Sequence, residues 1–128
     1  MKLLLDTHAF IWWASEPDKL PRKILELFEK IENSLVLSVS SVWEMQIKMQ
    51  LGKLDLDMPI KELIESQQQA NALQILPVKL RHVFELTNLP PLHNDPFDRI
   101  LIAQANAEGL TIVSKDQKFS DYPVTIIW

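Results

Sequence analysis

Short apolar segments alternate with stretches of helical character along the whole chain. Each apolar segment is short and continuous, without regular alternation of apolar and polar side chains. Such a segment predicts a strand buried on both faces, which is typical of a parallel sheet covered by helices. The predicted strands are residues 2–5, 35–38, 73–76, 111–114 and 124–127. The pattern therefore predicts an α/β fold with three layers, in which a mainly parallel sheet lies between helices.

Helical spacing and capping signals define the segments between these strands. The predicted helices are residues 9–13, 21–32, 40–51, 60–72, 80–87 and 96–108. In the second of them, Ile24, Phe28 and Ile31 fall on one apolar stripe. The chain has only two glycines, Gly52 and Gly109, and each stands where a helix is predicted to end. The order of the strands in the sheet cannot be read from this pattern.

Size and composition indicate one soluble domain that spans residues 1–128. The chain has 128 residues, a hydrophobic fraction of 47% and no cysteine. Disulfides, thiolate zinc sites and cysteine nucleophiles are therefore excluded. Asp6 ends the first apolar run after three leucines, so we expect no signal peptide, no membrane span and a cytoplasmic protein. The net charge of −4 argues mildly against nucleic-acid binding through the overall field, which leaves a local patch or metal ions.

Four acidic residues fall at the predicted carboxyl ends of strands or on the helices entered from them. Asp6 follows the first strand, Glu44 lies early in the helix after the second, and Asp116 comes two residues after strand 111–114. Asp98 lies in the first turn of the helix that opens at Asp95. In open α/β sheets ligands bind outside the carboxyl ends of the strands. If the strands are parallel, all four carboxylates face one edge of the sheet.

Each of these acids also has a structural explanation. Asp6 could cap a helix, and Asp95, followed by proline, is a good N-cap. Glu44 and Lys48 are spaced i,i+4 and could form a surface pair. Asp116 could be an ordinary turn residue. Taken singly, none of the acids establishes a site.

Taken together, the acids favour a divalent-cation site. Clustered carboxylates repel one another unless a cation neutralises them. Zinc is improbable, because there is no cysteine and the three histidines are scattered along the sequence. Carboxylate and water oxygens suit Mg²⁺ or Mn²⁺, and such ions support hydrolysis of phosphodiester bonds.

Four motifs that contain these acids resemble those of PIN-domain ribonucleases. They are Leu-Leu-Leu-Asp6-Thr7-His8, Ser40-Ser41-Val42-Trp43-Glu44, His93-Asn-Asp95-Pro-Phe-Asp98-Arg99-Ile-Leu-Ile-Ala and Thr111-Ile-Val-Ser114-Lys-Asp116. Within that family, the chain is most similar to VapC-type toxins of bacterial toxin–antitoxin modules. The resemblance covers essentially all 128 residues, with the motifs in the family's order and near its spacing.

The resemblance implies a Mg²⁺- or Mn²⁺-dependent endoribonuclease with a parallel sheet of about five strands. Its acidic site would consist of Asp6, Glu44, Asp98 and Asp116, and Thr7 and Ser114 match supporting hydroxyl positions. It also implies a homodimer, and a small antitoxin that binds near the active-site groove and inserts a basic side chain among the acids. Asp95 is an additional carboxylate near the site, but the spacing before Ile-Leu-Ile-Ala favours Asp98 as the metal ligand.

Several basic and aromatic residues near the motifs are candidates for contact with RNA. Arg99, Lys115 and Lys118 could bind phosphates, although each could also be solvated surface charge. Trp12, Trp13 and Trp43 could stack on bases. Trp12 and Trp13 follow Phe10 and Ile11 in a very apolar run, which favours packing against a helical partner or dimer mate. His8 and His93 could assist proton transfer, or they could be structural.

Two other functions remain open from the residues alone. Asp6 at the end of the first strand would suit a phosphoaspartate-type phosphotransfer domain, but His8 occupies the place of the second aspartate that such a phosphatase needs. The chain could also be an interaction module with this fold and no turnover. The presence of all four acids counts against that second alternative.

Overall fold

The computed structural model describes residues 1–92 and 94–128, so the candidate His93 lies outside the described residues. Its centre is a five-stranded sheet in which every neighbouring pair of strands is parallel. The strand order is β3-β2-β1-β4-β5. The strands are β1 (Lys2–Leu5), β2 (Ser34–Ser38), β3 (Gln74–Leu76), β4 (Thr111–Val113) and β5 (Ile126–Ile127). The predicted parallel α/β sheet is confirmed.

Among the described residues, six helices connect the strands, and short 3₁₀ turns cover Pro17–Lys19, Leu86–Asn88 and Gln117–Asp121. The helices are α1 (Thr7–Ser15), α2 (Arg22–Glu29), α3 (Val39–Gln50), α4 (Ile60–Asn71), α5 (Leu80–Glu85) and α6 (Pro96–Glu108). Gly109 ends α6 with a φ of 68°, and Gly52 follows α3 with a φ of 71°. Both glycines therefore adopt the left-handed conformation expected just beyond a helix.

The sheet separates two hydrophobic clusters, which explains the continuous apolar strands. Leu3, Leu5 and Leu37 belong to one cluster, whereas Leu4 and Val36 belong to the other. Successive side chains of a strand point to opposite faces, so a strand covered on both faces needs apolar residues at every position. Helices on both faces of the sheet give the three-layer α/β/α arrangement.

The second helix is shorter than the sequence pattern predicts. Helix α2 ends at Glu29, and Lys30 after it has an extended backbone conformation. The side-chain amide of Asn33 donates to the Leu27 carbonyl at 2.8 Å, which satisfies a carbonyl of the last helical turn. Ile31 is consequently 99% exposed, and its predicted place on the apolar stripe is wrong.

The strand order determines which loops meet. From β1 the chain moves outward to β2 and β3, and then returns to place β4 on the other side of β1. The carboxyl ends of β1 and β4 therefore lie side by side at the point where the direction of winding reverses, which is where open α/β sheets bind ligands. Leu5 pairs with Val113, so the residues that follow these two are direct neighbours. Within residues 1–92 and 94–128, no helix is long and apolar enough to cross a membrane.

Candidate active site

Asp6 is buried at the carboxyl end of β1 and is fixed through both carboxylate oxygens. Oδ1 accepts a 2.7 Å hydrogen bond from the backbone N–H of Ala9, and Asp6 thereby caps α1. Oδ2 accepts a 2.5 Å bond from the Ser114 hydroxyl, across 108 positions of sequence. Burial raises the pKa of Asp6, and these two hydrogen bonds oppose the rise. Asp6 therefore caps α1 and also lies at the predicted edge of the sheet.

Glu44 is held at the same edge by partners on two helices. The Thr7 hydroxyl donates to Glu44 Oε1 at 2.6 Å, which confirms the expected position of Thr7 beside an acid. The Lys48 ammonium lies 3.0 Å from Glu44 Oε2, one helical turn along α3. This ion pair is not an exposed surface pair, because only 14% of the Glu44 side chain is accessible. Both oxygens of Glu44 therefore have a donor within the protein.

Asp98 lies close enough to the other acids for their charges to affect its pKa. It lies in the first turn of α6, where Asp95 caps the helix by accepting from the N–H groups of Phe97 and Asp98 at 2.9 and 3.3 Å. Partial burial raises the pKa of Asp98 to about 7, and the negative charges of other carboxylates add to this rise. In decreasing order of effect, those carboxylates are Asp95, Glu44, Asp116 and Asp6.

Asp116 joins the site through the loop after β4. Its Oδ1 accepts from the Lys118 N–H at 2.9 Å, and its own N–H donates to the Ser114 hydroxyl at 2.9 Å. Ser114 thus links Asp6 and Asp116, as expected of a supporting hydroxyl. Both acids line one cavity of about 520 Å³. The structure therefore brings all four predicted acids to a single edge of the sheet.

The carboxylates at this edge fit a divalent ion that binds only one or two protein ligands and keeps several waters. Among the described residues, no three His, Cys, Asp or Glu side chains are grouped tightly enough to chelate one ion. Mg²⁺ does not require such a cage, because it usually binds one or two carboxylates and keeps several waters. Five carboxylates lie near one another at this edge, and burial together with repulsion from the other carboxylates raises the pKa of Asp98. Asp6, Asp98 and Asp116 are the residues that could hold an ion here.

The three predicted RNA-contacting residues have different surroundings. Arg99 directs its guanidinium away from solvent, where Nη1 donates to the Pro90 carbonyl at 3.0 Å and to the Tyr122 hydroxyl at 3.1 Å. These bonds link α6 to the segment before it and to Tyr122, and contact between Arg99 and RNA stays a prediction. Lys115 lines the cavity of Asp6 and Asp116. Lys118 is exposed after the same loop.

Sequence reasoning missed Lys19 as a neighbour of the site. Its ammonium lies 5.8 Å from the ring centroid of Trp12. Helix α1 ends at Ser15 and the turn Pro17–Lys19 redirects the chain, so helical spacing could not indicate this contact. The sequence carries no other signal for it.

Comparisons with known proteins agree with this architecture. Ribonuclease VapC22 of Mycobacterium tuberculosis (strain ATCC 25618 / H37Rv) is 25% identical over 97% of this chain and 97% of its own length. The structure of VapBC2 from Rickettsia felis bound to a promoter DNA fragment matches with a TM-score of 0.76 at 19% identity, over 99% of this chain and 98% of that one. VapBC-1 from nontypeable Haemophilus influenzae matches with a TM-score of 0.66 at 16% identity, over 99% and 97% of the two chains. Residues 3–124 match the PIN domain family. The resemblance of the four motifs is thereby confirmed, and the chain belongs to the PIN-domain family.

Proposed function

We propose that this protein is a metal-dependent endoribonuclease and the toxin of a type II toxin–antitoxin system. The observation that carries the proposal is the gathering of four carboxylates at the switch point of the sheet, where burial and the charges of neighbouring carboxylates raise the pKa of Asp98 to about 7. Such a site repels a phosphodiester unless divalent cations are present. The similarity to a ribonuclease VapC and to VapBC structures supports the same activity.

Asp6, Asp98 and Asp116 would hold Mg²⁺ or Mn²⁺, which would polarise water and neutralise charge on the phosphate. The chain's own residues fix the geometry for this chemistry. Ser114 and the amide of Ala9 prevent Asp6 from rotating. Thr7 and Lys48 hold Glu44 through its two oxygens, and Glu44 would orient the attacking water.

In the reaction, a water oxygen forms a bond to phosphorus while the bond to the departing nucleotide oxygen breaks in line with it. The departing oxygen takes up a proton, and the water oxygen loses one. Asp98 would be ionised when it holds the ion, because a bound cation offsets the burial and repulsion that raise its pKa in the metal-free protein. No covalent bond forms between RNA and the protein.

An antitoxin would regulate this site. We infer that a small antitoxin protein binds near the acidic edge and places a basic side chain among the carboxylates. The excess negative charge at Asp98 supports this, because an inserted cation would relieve the same repulsion as a metal. The protein would act in the cytoplasm, where RNA and a newly made antitoxin are both available.

We infer in addition that a second copy of the chain covers the apolar surface around α5. Leu80, Val83 and Phe84 lie on one face of this helix and are 73%, 44% and 65% exposed. Val78 and Leu86, which flank α5, line an adjoining apolar groove of about 650 Å³. Contiguous exposed apolar patches of this kind often mark surfaces where proteins associate. Light scattering should give a dimer mass for the wild type and a monomer mass for Phe84→Lys; a monomeric wild type would contradict this inference.

The central experiment compares RNA cleavage by antitoxin-free protein in Mg²⁺, in Mn²⁺ and in EDTA. A pool of structured RNAs serves as substrate. Asp98→Asn keeps the side-chain shape and removes one charge, while Asp18→Asn makes the same change at an exposed aspartate of the Pro17–Lys19 turn. We expect metal-dependent cleavage by the wild type and by Asp18→Asn, and loss of at least 100-fold in Asp98→Asn. Antitoxin binding without cleavage of any RNA would instead favour an interaction module without turnover.

A further inference from the structure

Two cavities adjoin the acidic edge, and the same two rings line both of them. The first cavity, of about 520 Å³, contains Asp6, Asp116 and Lys115. The second, of about 350 Å³, lies between α1 and the segment after α3 and includes Lys19 among its lining residues. His8 and Trp12 line both cavities. Trp12 therefore stands beside two carboxylates of the proposed active site and borders a second space next to it.

Two aromatic rings pack near the Trp12 ring, and two lysine ammonium groups lie over it. Its centroid lies 6.0 Å from that of Trp128 and 6.3 Å from that of the His8 ring. The ammonium groups of Lys19 and Lys115 lie over the ring at 5.8 and 5.6 Å from its centroid. Attraction between a cation and the face of an indole ring accounts for both contacts. A packed aromatic ring with a lysine in each adjoining cavity is the result.

This combination fits an unpaired nucleotide. Single-stranded nucleic acids bind where bases stack on aromatic side chains and lysines contact the adjacent phosphates. Charged side chains line both cavities, Lys19 in one and Lys115 and Asp116 in the other, so both are less suited to an apolar protein anchor. The groove next to Trp43 is different, because Val78, Phe97 and the other residues around it leave almost no polar surface. Trp12 and Trp43 therefore have different surroundings and different expected partners.

We propose that Trp12 is a stacking platform for an unpaired nucleotide next to the cleaved bond, and that Lys19 and Lys115 bind the phosphates on either side of this nucleotide. The proposal rests on the proposed function, because it takes RNA as the substrate. When a base covers the ring, Lys115 exchanges its contact with the indole for one with a phosphate oxygen. Lys19, whose ammonium also pairs with Glu16, exchanges both of these contacts. The ring then positions the strand so that the following phosphate lies at Asp6 and Asp116.

The test measures binding in the Asp98→Asn background with Mg²⁺ present, so that cleavage does not interfere. The probes are a fluorescent single-stranded oligoadenylate of about eight nucleotides and an oligomer of the same length with abasic riboses and the same phosphates. Trp12→Leu removes the aromatic face and keeps an apolar side chain, and Trp12→Phe restores an aromatic ring. Thermal unfolding of each variant shows that it is folded.

We expect the oligoadenylate to bind at least about five-fold more tightly than the abasic oligomer. Trp12→Leu should abolish this ratio, and Trp12→Phe should retain most of it. Lys19→Gln and Lys115→Gln should weaken binding of both oligomers and lower the slope of log affinity against log salt by about one. Lys61→Gln, at an exposed lysine of α4 outside both cavities, should change neither quantity.

Several results would overturn the proposal without touching the proposed function. The first is equal binding of the two oligomers by the parent protein, and the second is an unchanged ratio in Trp12→Leu. A third is a variant that keeps its RNA affinity but no longer binds the antitoxin, since the ring would then serve a protein partner. Cleavage of RNA by the wild type separates these results from failure of the proposed function, in which no RNA is cleaved with any metal.

Discussion

Replacing Asp98 with asparagine should stabilise the protein at neutral and alkaline pH while abolishing its activity. Folding raises the pKa of Asp98 from an ordinary value of 3.8 to about 7. The folded state therefore binds this proton more tightly than the unfolded state does, and ionisation of Asp98 destabilises the fold. Below pH 4 the cost is absent. It grows between pH 4 and pH 7 and is constant above that range.

The size of the effect follows from the shift. About three pKa units at 1.36 kcal/mol each correspond to about 4 kcal/mol. Because the carboxylate is only partly buried and solvent screens it, we halve this value and expect about 2 kcal/mol at pH 8. For a domain of this size, that is a rise in Tm of roughly 6–10 °C. Added salt should reduce the gain without removing it, because burial is the largest cause of the shift and the neighbouring charges come second.

Thermal and urea unfolding of wild type and Asp98→Asn at pH 4, 6 and 8 in EDTA measure this gain. Asp18→Asn is the matched control and should behave as wild type at each pH. Adding Mg²⁺ at pH 8 should raise the Tm of the wild type more than that of Asp98→Asn, because only the wild type keeps the full set of carboxylates. A gain that is equal at pH 4 and pH 8, or no gain at all, would refute the assignment of repulsion to this edge.

Three further predictions concern single hydrogen bonds and backbone positions. Ser114→Ala removes the 2.5 Å bond to Asp6, which should lower stability by about 1–3 kcal/mol and reduce RNA cleavage; an unchanged cleavage rate would show that Asp6 needs no such support. His82→Ala deletes a fully buried imidazole that accepts from the Lys79 N–H at 3.0 Å, so urea unfolding should show a loss of about 2–4 kcal/mol with activity retained per folded molecule. At the ends of two helices, Gly109→Ala should cost about 1 kcal/mol, whereas Ala72→Gly, at a φ of 54°, should gain about 0.5 kcal/mol. Equal shifts of Tm in the same direction for this pair would contradict the left-handed assignments.

Local patterns in the sequence were enough to predict the elements and the members of the site. The leucines of β1 predict burial on both faces, and they divide between the two cores as that pattern requires. Asp95 followed by Pro96 predicts the start of α6, where the structure has it. The four acids were chosen because of their places after strands or in the first turns of helices, and the structure brings them to one edge. Such features depend on neighbours within a few positions of the chain.

Other features could not be predicted from neighbouring residues. Arg99 follows an acidic motif and has the appearance of an RNA contact, but its guanidinium binds the Pro90 carbonyl and the Tyr122 hydroxyl. The end of α2 depends on Asn33, whose side chain folds back onto the Leu27 carbonyl. In both cases a hydrogen bond determines the conformation, and the spacing of apolar residues does not indicate where such a bond forms.

The sequence by itself determined the class of the fold, because the period of apolar residues reflects how each element is buried. Only the tertiary structure decided that β4 lies beside β1, since any parallel order buries such strands equally well on both faces. That choice places Ser114 against Asp6 and brings Asp116 and Asp98 into range of the same carboxylate. The raised pKa of Asp98 therefore arises from burial and from two kinds of carboxylate: Asp95, which is its neighbour in sequence, and Glu44, Asp116 and Asp6, which the strand order brings near it.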